Sequence, residues 1–159
     1  MTFDHALTRR GPSLATLLLI LGQCTLLPLT ARAFDFKPTP AEWAMWSDYC
    51  KARYVVSSVG LTSPYASMIP PAMVQMWRTR LGEPTFSPLH HHCAGLVHMQ
   101  RARLARNDQE RIFEYRAAEQ ESRYTLERLP PTSALYREVL GNVQMASAML
   151  GVYGASPRR

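Results

Sequence analysis

Residues 89–131 read LHHHCAGLVHMQRARLARNDQERIFEYRAAEQESRYTLERLPP, and this stretch decides the fold. Leu89, Cys93, Leu96, Gln100 and Leu104 recur at helical spacing, so a helix is predicted over about residues 89–104 with those side chains along one side. Within it, Ala94-Gly95 is a small-residue step that lets a second helix come close. A further helix runs from about Asp108 to Leu129, where Pro130-Pro131 stops it for want of a backbone N–H. No segment of the chain alternates apolar and polar residues over a useful length, which predicts an all-α fold.

On the C-terminal side, a last helix is expected from about Ser133 to Leu150, closed by Gly151 and Gly154 before a basic tail at residues 156–159. On the N-terminal side, Pro70-Pro71 opens a short helix through Met73, Val74, Met76, Trp77 and Leu81, and Gly82 ends it. Residues 57–69, with Gly60 and Pro64, read as a loop that carries surface contacts. Before it, Thr39-Pro40-Ala41-Glu42 has the form of a capping box, and Trp43, Trp46, Cys50 and Tyr54 follow on one face of a single helix. Phe34 to Pro38 forms a short extended leader, so the architecture is a bundle of about five helices.

The first 33 residues differ from all the rest. Arg9 and Arg10 precede an apolar stretch from Leu14 to Leu29, too short and too interrupted by Gly22, Gln23 and Pro28 to span a bilayer. It ends in Ala31-Arg32-Ala33, a site of the kind signal peptidase cuts, so residues 1–33 are expected to be a signal peptide and residues 34–155 the working domain. Gln23 before Cys24 argues against lipidation, and Gly11-Pro12 after the arginine pair argues against twin-arginine export. The expected location is the periplasm or the medium, with no stable membrane span after cleavage.

Cleavage removes Arg9, Arg10 and Arg32 from 18 basic residues and Asp4 from 12 acidic ones, leaving 15 and 11, a net charge of +4. Those charges are interleaved, which suits a solvated helical surface better than a nucleic-acid face. Cys50 and Cys93 remain, and two cysteines in an oxidising compartment point to a disulfide before a reactive thiol. Closing a loop of about 40 residues contributes roughly 3–4 kcal/mol in the chain-entropy account.

Ala118, Tyr124, Leu126 and Pro130 resemble the end of a tetratricopeptide (TPR) repeat's second helix, and Leu140-Gly141-Asn142-Val143 with Leu150-Gly151-Val152-Tyr153 resembles the helix and turn that follow. Ala94 and Gly141 would be equivalent small positions, although 47 residues separate them where the family repeats every 34 or so. Trp46-x-x-Tyr49-Cys50-x-x-Arg53-Tyr54, Ser63-Pro64-Tyr65 and His91-His92-Cys93-Ala94-Gly95-Leu96 are similar to a group of exported TPR-like proteins of proteobacteria. The resemblance implies right-handed helical hairpins and an exported protein, and it lends no biochemistry. It also leaves the last helix short of a stacking neighbour, which either the N-terminal helices supply as a cap or another chain supplies in a homo-oligomer.

Of the chemistry-bearing residues, the run His90-His91-His92-Cys93 with His98 is the most suggestive. On a helix no more than two of these imidazoles readily converge, whereas zinc takes three or four ligands. Neither a His-Glu-x-x-His nor a Cys-x-x-Cys-His motif is present, and no serine sits in a Gly-x-Ser-x-Gly elbow. The acids, among them the pairs Glu110-Glu114 and Arg116-Glu119, read as helix-surface patterning. The expectation is therefore a non-enzymatic, cofactor-free protein that binds another envelope protein as an adaptor or assembly factor. Arg101, Arg103, Arg106 and Arg116 are the residues offered to an acidic partner. The alternative is a small copper- or zinc-binding or redox-linked module using His91, His92 and His98. On the adaptor reading, His92 is partly buried against a polar neighbour and the other histidines are solvated.

Overall fold

The structure is a computed structural model that describes residues 34–154. The expected signal peptide, with Cys24, and the basic tail at residues 156–159 lie outside them. The chain divides at Ala33/Phe34 into two units, and the fold below is that of the second. It is all-helical, without a strand among the described residues, and holds seven α-helical segments where about five were expected. These are α1 (Pro40–Met45), α2 (Asp48–Tyr54), α3 (Pro71–Leu81), α4 (Glu83–Phe86), α5 (Leu89–Leu104), α6 (Asp108–Leu126) and α7 (Tyr136–Val152).

The single N-terminal helix expected from the sequence is two. Thr39 and Glu42 form the capping box, with the Thr39 N–H donating to Glu42 Oε2 at 2.8 Å and the Glu42 N–H to Thr39 Oγ1 at 3.4 Å. The helix then breaks at Trp46, whose backbone is extended (φ −65°, ψ 142°). That turn sends the indole to α5, where Nε1–H donates to the Cys93 carbonyl at 3.1 Å. Ser47 and Asp48 then supply a second helix start, a small polar residue followed by an acid in the first turn. Helices of six and seven residues are too short to stand alone. They are held by tertiary packing, with Trp43, Trp46, Cys50, Tyr54, Tyr65, Phe86, Leu89 and Cys93 forming one aromatic-rich core.

Residues 57–69 do more than present a surface. Two 3-10 turns, Gly60–Thr62 and Ala66–Met68, fold this segment over the core so that Tyr65 stacks on Trp43 with ring centroids 4.3 Å apart. The Tyr65 hydroxyl donates to the Pro38 carbonyl at 3.2 Å, which pins the leader as well. Gly60 is obligatory here, because a Cβ would stand 1.7 Å from the Tyr54 carbonyl oxygen. Gly82 ends α3 at φ 74°, as expected, and α4 follows in a stretch read only as a connection, carrying Phe86 into the core.

The three long helices form a second layer. His98 meets Glu114 and His91 meets Glu121, so as one index falls by seven the other rises by seven, and α5 and α6 run antiparallel. Ser147 of α7 meets Glu119, and Tyr153 stacks with Tyr115, which makes α6 and α7 antiparallel too. The close approach expected at Ala94-Gly95 is present at Gly95, where a Cβ would lie 2.5 Å from Ser122 Oγ and 3.1 Å from the Ala118 carbonyl oxygen. Gly141 differs, with nothing within 4 Å of its Cβ position, so it does not play the part of Ala94 that the repeat resemblance implied. Nor does Gly151 end α7, which continues to Val152 before Gly154 takes φ 68°.

Candidate functional site

Cys50 and Cys93 are joined by a disulfide, with Cα atoms 5.6 Å apart and both residues fully buried. The bridge ties α2 to α5 and removes Cys93 as a thiolate. From that point the histidine run spreads around α5, and each imidazole meets a different neighbour. His91 Nδ1 lies 2.6 Å from Glu121 Oε2 and His98 Nδ1 lies 2.6 Å from Glu114 Oε2, both on α6. His92 Nε2 lies 3.2 Å from Glu138 Oε1 on α7, and Glu138 also accepts a hydrogen bond from the Tyr49 hydroxyl at 2.7 Å.

These contacts correct two expectations. His91 and His98 are not solvated, since their side chains are mostly covered by α6 and by the leader, with Phe34 edge-on to His91 and Phe36 edge-on to His98. Glu114 and Glu119 are not surface patterning either. Glu114 is the partner of His98, and Glu119 is buried between Arg123 of its own helix and Ser147 of α7, whose hydroxyl donates at 2.8 Å. The carboxylates Glu114, Glu119, Glu121 and Glu138 are thus the residues that sequence reasoning missed. The signal available was that Glu114, Ala118, Glu121, Ser122 and Thr125 share one α6 face, where small side chains between the acids favour burial.

The copper or zinc reading needs His91, His92 and His98 at one point, and the structure does not bring them there. Among the described residues no three His, Cys, Asp or Glu side chains are grouped so as to hold a metal ion. The electrostatics fit a structural role. The hydrogen bond from His92, helped by Tyr49, holds the Glu138 carboxyl below its ordinary value against the opposing effect of burial. Burial first, and then the Glu138 carboxylate, push the Tyr49 phenol above its ordinary value, partly offset by Ser47. His90 is pushed down to about 3 by burial, with Arg53 and His91 adding to the effect, so at neutral pH it is an uncharged ring donating from Nδ1 to the Ser87 carbonyl at 3.1 Å.

The arginines expected to face a partner divide. Arg101 is closed, with Nε and Nη2 donating to Glu42 at 2.7 and 2.9 Å while the guanidinium lies over the Phe36 ring. Burial alone would raise the Glu42 carboxyl, but Arg101 and the Thr39 N–H outweigh it and hold the group below its ordinary value. Arg103, Arg106 and Arg116 are exposed, and none forms an ion pair among the described residues. Two clefts open on the described surface. One of about 360 Å³ is lined by Arg80, Thr85, Thr132 and Ser133, and one of about 210 Å³ by Glu42, Trp46, Tyr49 and Gln100.

Fold and site together define a disulfide-stapled, all-helical scaffold whose helices are joined by histidine–carboxylate contacts and by the buried Glu119. No family model matches the chain, and neither a curated protein nor a solved structure matches it significantly, so the TPR-like resemblance rests on the quoted residues alone.

Proposed function

We propose that the protein is an exported adaptor or assembly factor of the cell envelope, a non-catalytic helical scaffold that holds a partner protein. Export is supported by the leader pattern in residues 1–33 and by the buried Cys50–Cys93 bridge, which suits an oxidising compartment. Among the described residues no helix is long and apolar enough to cross a membrane.

The observation that carries the adaptor reading is α7. One face of it, with Val139, Val143, Ala146 and Leu150, is buried. On the other, Gly141, Gln144, Met145 and Ala148 are exposed, and no charged side chain occurs from Val139 to Gly154. A face this small and uncharged suits the uncharged, apolar face of a partner's helix laid along it, in the helix-in-groove manner, and penalises a charged one. The open space over Gly141 admits close approach.

Paired capture from envelope extracts tests this. The chain and a Gln75→Glu/Thr79→Glu control, changed at exposed positions of α3, are expected to retain the same protein, and a Met145→Glu/Ala148→Glu variant is expected to lose it. Equal retention by all three overturns the reading. A dimer in light scattering that the α7 variant abolishes would put a second copy on this face instead.

A further inference from the structure

We infer that the end of the long-helix layer where α5 and α7 finish and α6 begins is a docking surface for an anionic phospholipid membrane. Val152 continues the Met145–Ala148 stripe, so the last turn of α7 is shared with the partner-binding face and the rest of this surface is separate. The three helix ends are physically joined there by Arg111 of α6, which donates from Nη2 to the Ala105 carbonyl at 2.9 Å and from Nε to the Ala102 carbonyl at 3.3 Å, and lies 5.3 Å from the centre of the Tyr153 ring. The antiparallel register of α5, α6 and α7 requires the same arrangement.

Two kinds of side chain collect at this end. Leu104 at 74%, Val152 at 71% and Phe113 at 66% are the most exposed large apolar residues among those described, and they come from the last turns of α5 and α7 and the second turn of α6. Arg103, Arg106 and Arg116 accompany them without ion-pair partners among the described residues. Against these three arginines and Arg111 stand Asp108, paired with Arg111 at 2.6 Å, and Glu110, which accepts the Arg106 backbone N–H at 3.1 Å and keeps its charge, so four cations face two anions.

Exposed apolar tips among unpaired guanidiniums match a lipid interface, because the tips enter the boundary of the acyl region while the guanidiniums meet phosphate. An acidic peptide would also answer the charge. It would need a groove to grip the exposed apolar groups, and neither of the two clefts described is lined by Leu104, Phe113 or Val152. With no helix able to span among the described residues, the contact is peripheral.

Cosedimentation of residues 34–159, the chain left after the expected cleavage, with vesicles of phosphatidylglycerol and phosphatidylcholine in equal parts, against pure phosphatidylcholine, tests the surface. Greater binding to the anionic vesicles is expected, with a loss of about tenfold or more in Arg103→Glu/Arg106→Glu/Arg116→Glu. The variant Arg80→Glu/Arg128→Glu/Arg137→Glu makes the same charge change away from this end and is expected to stay within about threefold of the parent chain. Leu104→Ser/Phe113→Ser, which alters no charge, is expected to weaken the binding that survives in high salt. Equal binding to both vesicle types, equal loss in the two charge variants, an unaffected serine variant, or retention on polyglutamate without vesicle binding would each overturn the proposal.

Discussion

The two halves of this small protein solve the same problem with opposite chemistry. The N-terminal half is built from helices of 4, 6, 7 and 11 residues, 3-10 turns and an extended leader, elements with little stability of their own. It is held by stacked aromatic rings, a covalent bridge and a near absence of buried charge. The C-terminal half has helices of 16, 19 and 17 residues that pack through a cluster of Met99, Ala102, Tyr115, Ala118, Ala146 and Leu150 and add polar contacts of Ser, His and Glu across their interfaces. Long helices gain enough from their own backbone hydrogen bonds to tolerate polar seams. Short ones require apolar burial and a staple. α5 belongs to both, with Cys93 facing one region and Gly95 the other.

The disulfide is where that comparison is easiest to break. Removing it with Cys50→Ala/Cys93→Ala is expected to cost about 3–4 kcal/mol, since the bridge closes a span of 43 residues. The loss should fall on the N-terminal half, so denaturant unfolding followed by tryptophan fluorescence should separate from helix loss followed by circular dichroism. Coincident transitions would show that the two halves form one cooperative unit.

Two glycines sharpen the contrast within the long helices, because the same substitution should act with opposite sign. Gly95→Ala drives a methyl into Ser122 Oγ and toward the Ala118 backbone, an overpacking expected to destabilise by about 1–3 kcal/mol. Gly141→Ala meets open space in a helix interior and is expected to stabilise by up to about 1 kcal/mol. Thermal midpoints moving in the same direction would refute the description of one site as a close approach and the other as an open face.

A further contrast lies on the acid side. His90 is held neutral in the fold down to about 3, whereas in the unfolded chain it takes a proton near its ordinary value of about 6.5. Stability attributable to His90 is therefore present above pH of about 6.5 and is lost progressively as pH falls from there toward 3. Glu138 and Glu42, both held below the ordinary carboxyl range, act in the same direction at lower pH. A His90→Gln variant should unfold in urea with a shallower dependence on pH between about 6.5 and 3, and an unchanged slope would remove His90 from the account.

Much of the fold was legible without coordinates, and the reasons are local. The Thr39–Glu42 capping box, the stop at Gly82, the close approach at Gly95 and the boundaries of α5 each follow from residues within a turn or two of one another. The break at Trp46 was not legible, because Trp43, Trp46, Cys50 and Tyr54 share a face whether the helix is one or two, and the indole's partner lies 47 residues away. The site was misread for the same reason. Nothing near Glu114, Glu119, Glu121 or Glu138 in the chain distinguishes a solvated acid from one that meets an imidazole or a buried hydroxyl across an interface.

The sequence by itself determined the all-helical class, the two cysteines able to pair and the face of α5 that carries one of them, since periodicity and residue type are properties of a single helix. Tertiary structure decided which charges are available to a partner. The antiparallel register of α5 and α6 puts Glu114 and Glu121 against His98 and His91, and the folded-back capping box puts Glu42 against Arg101. Only the register of helix against helix then leaves Arg103, Arg106 and Arg116 unpaired beside Leu104, Phe113 and Val152, because a charge is neutralised by what lies across the interface and not by its neighbours in the chain.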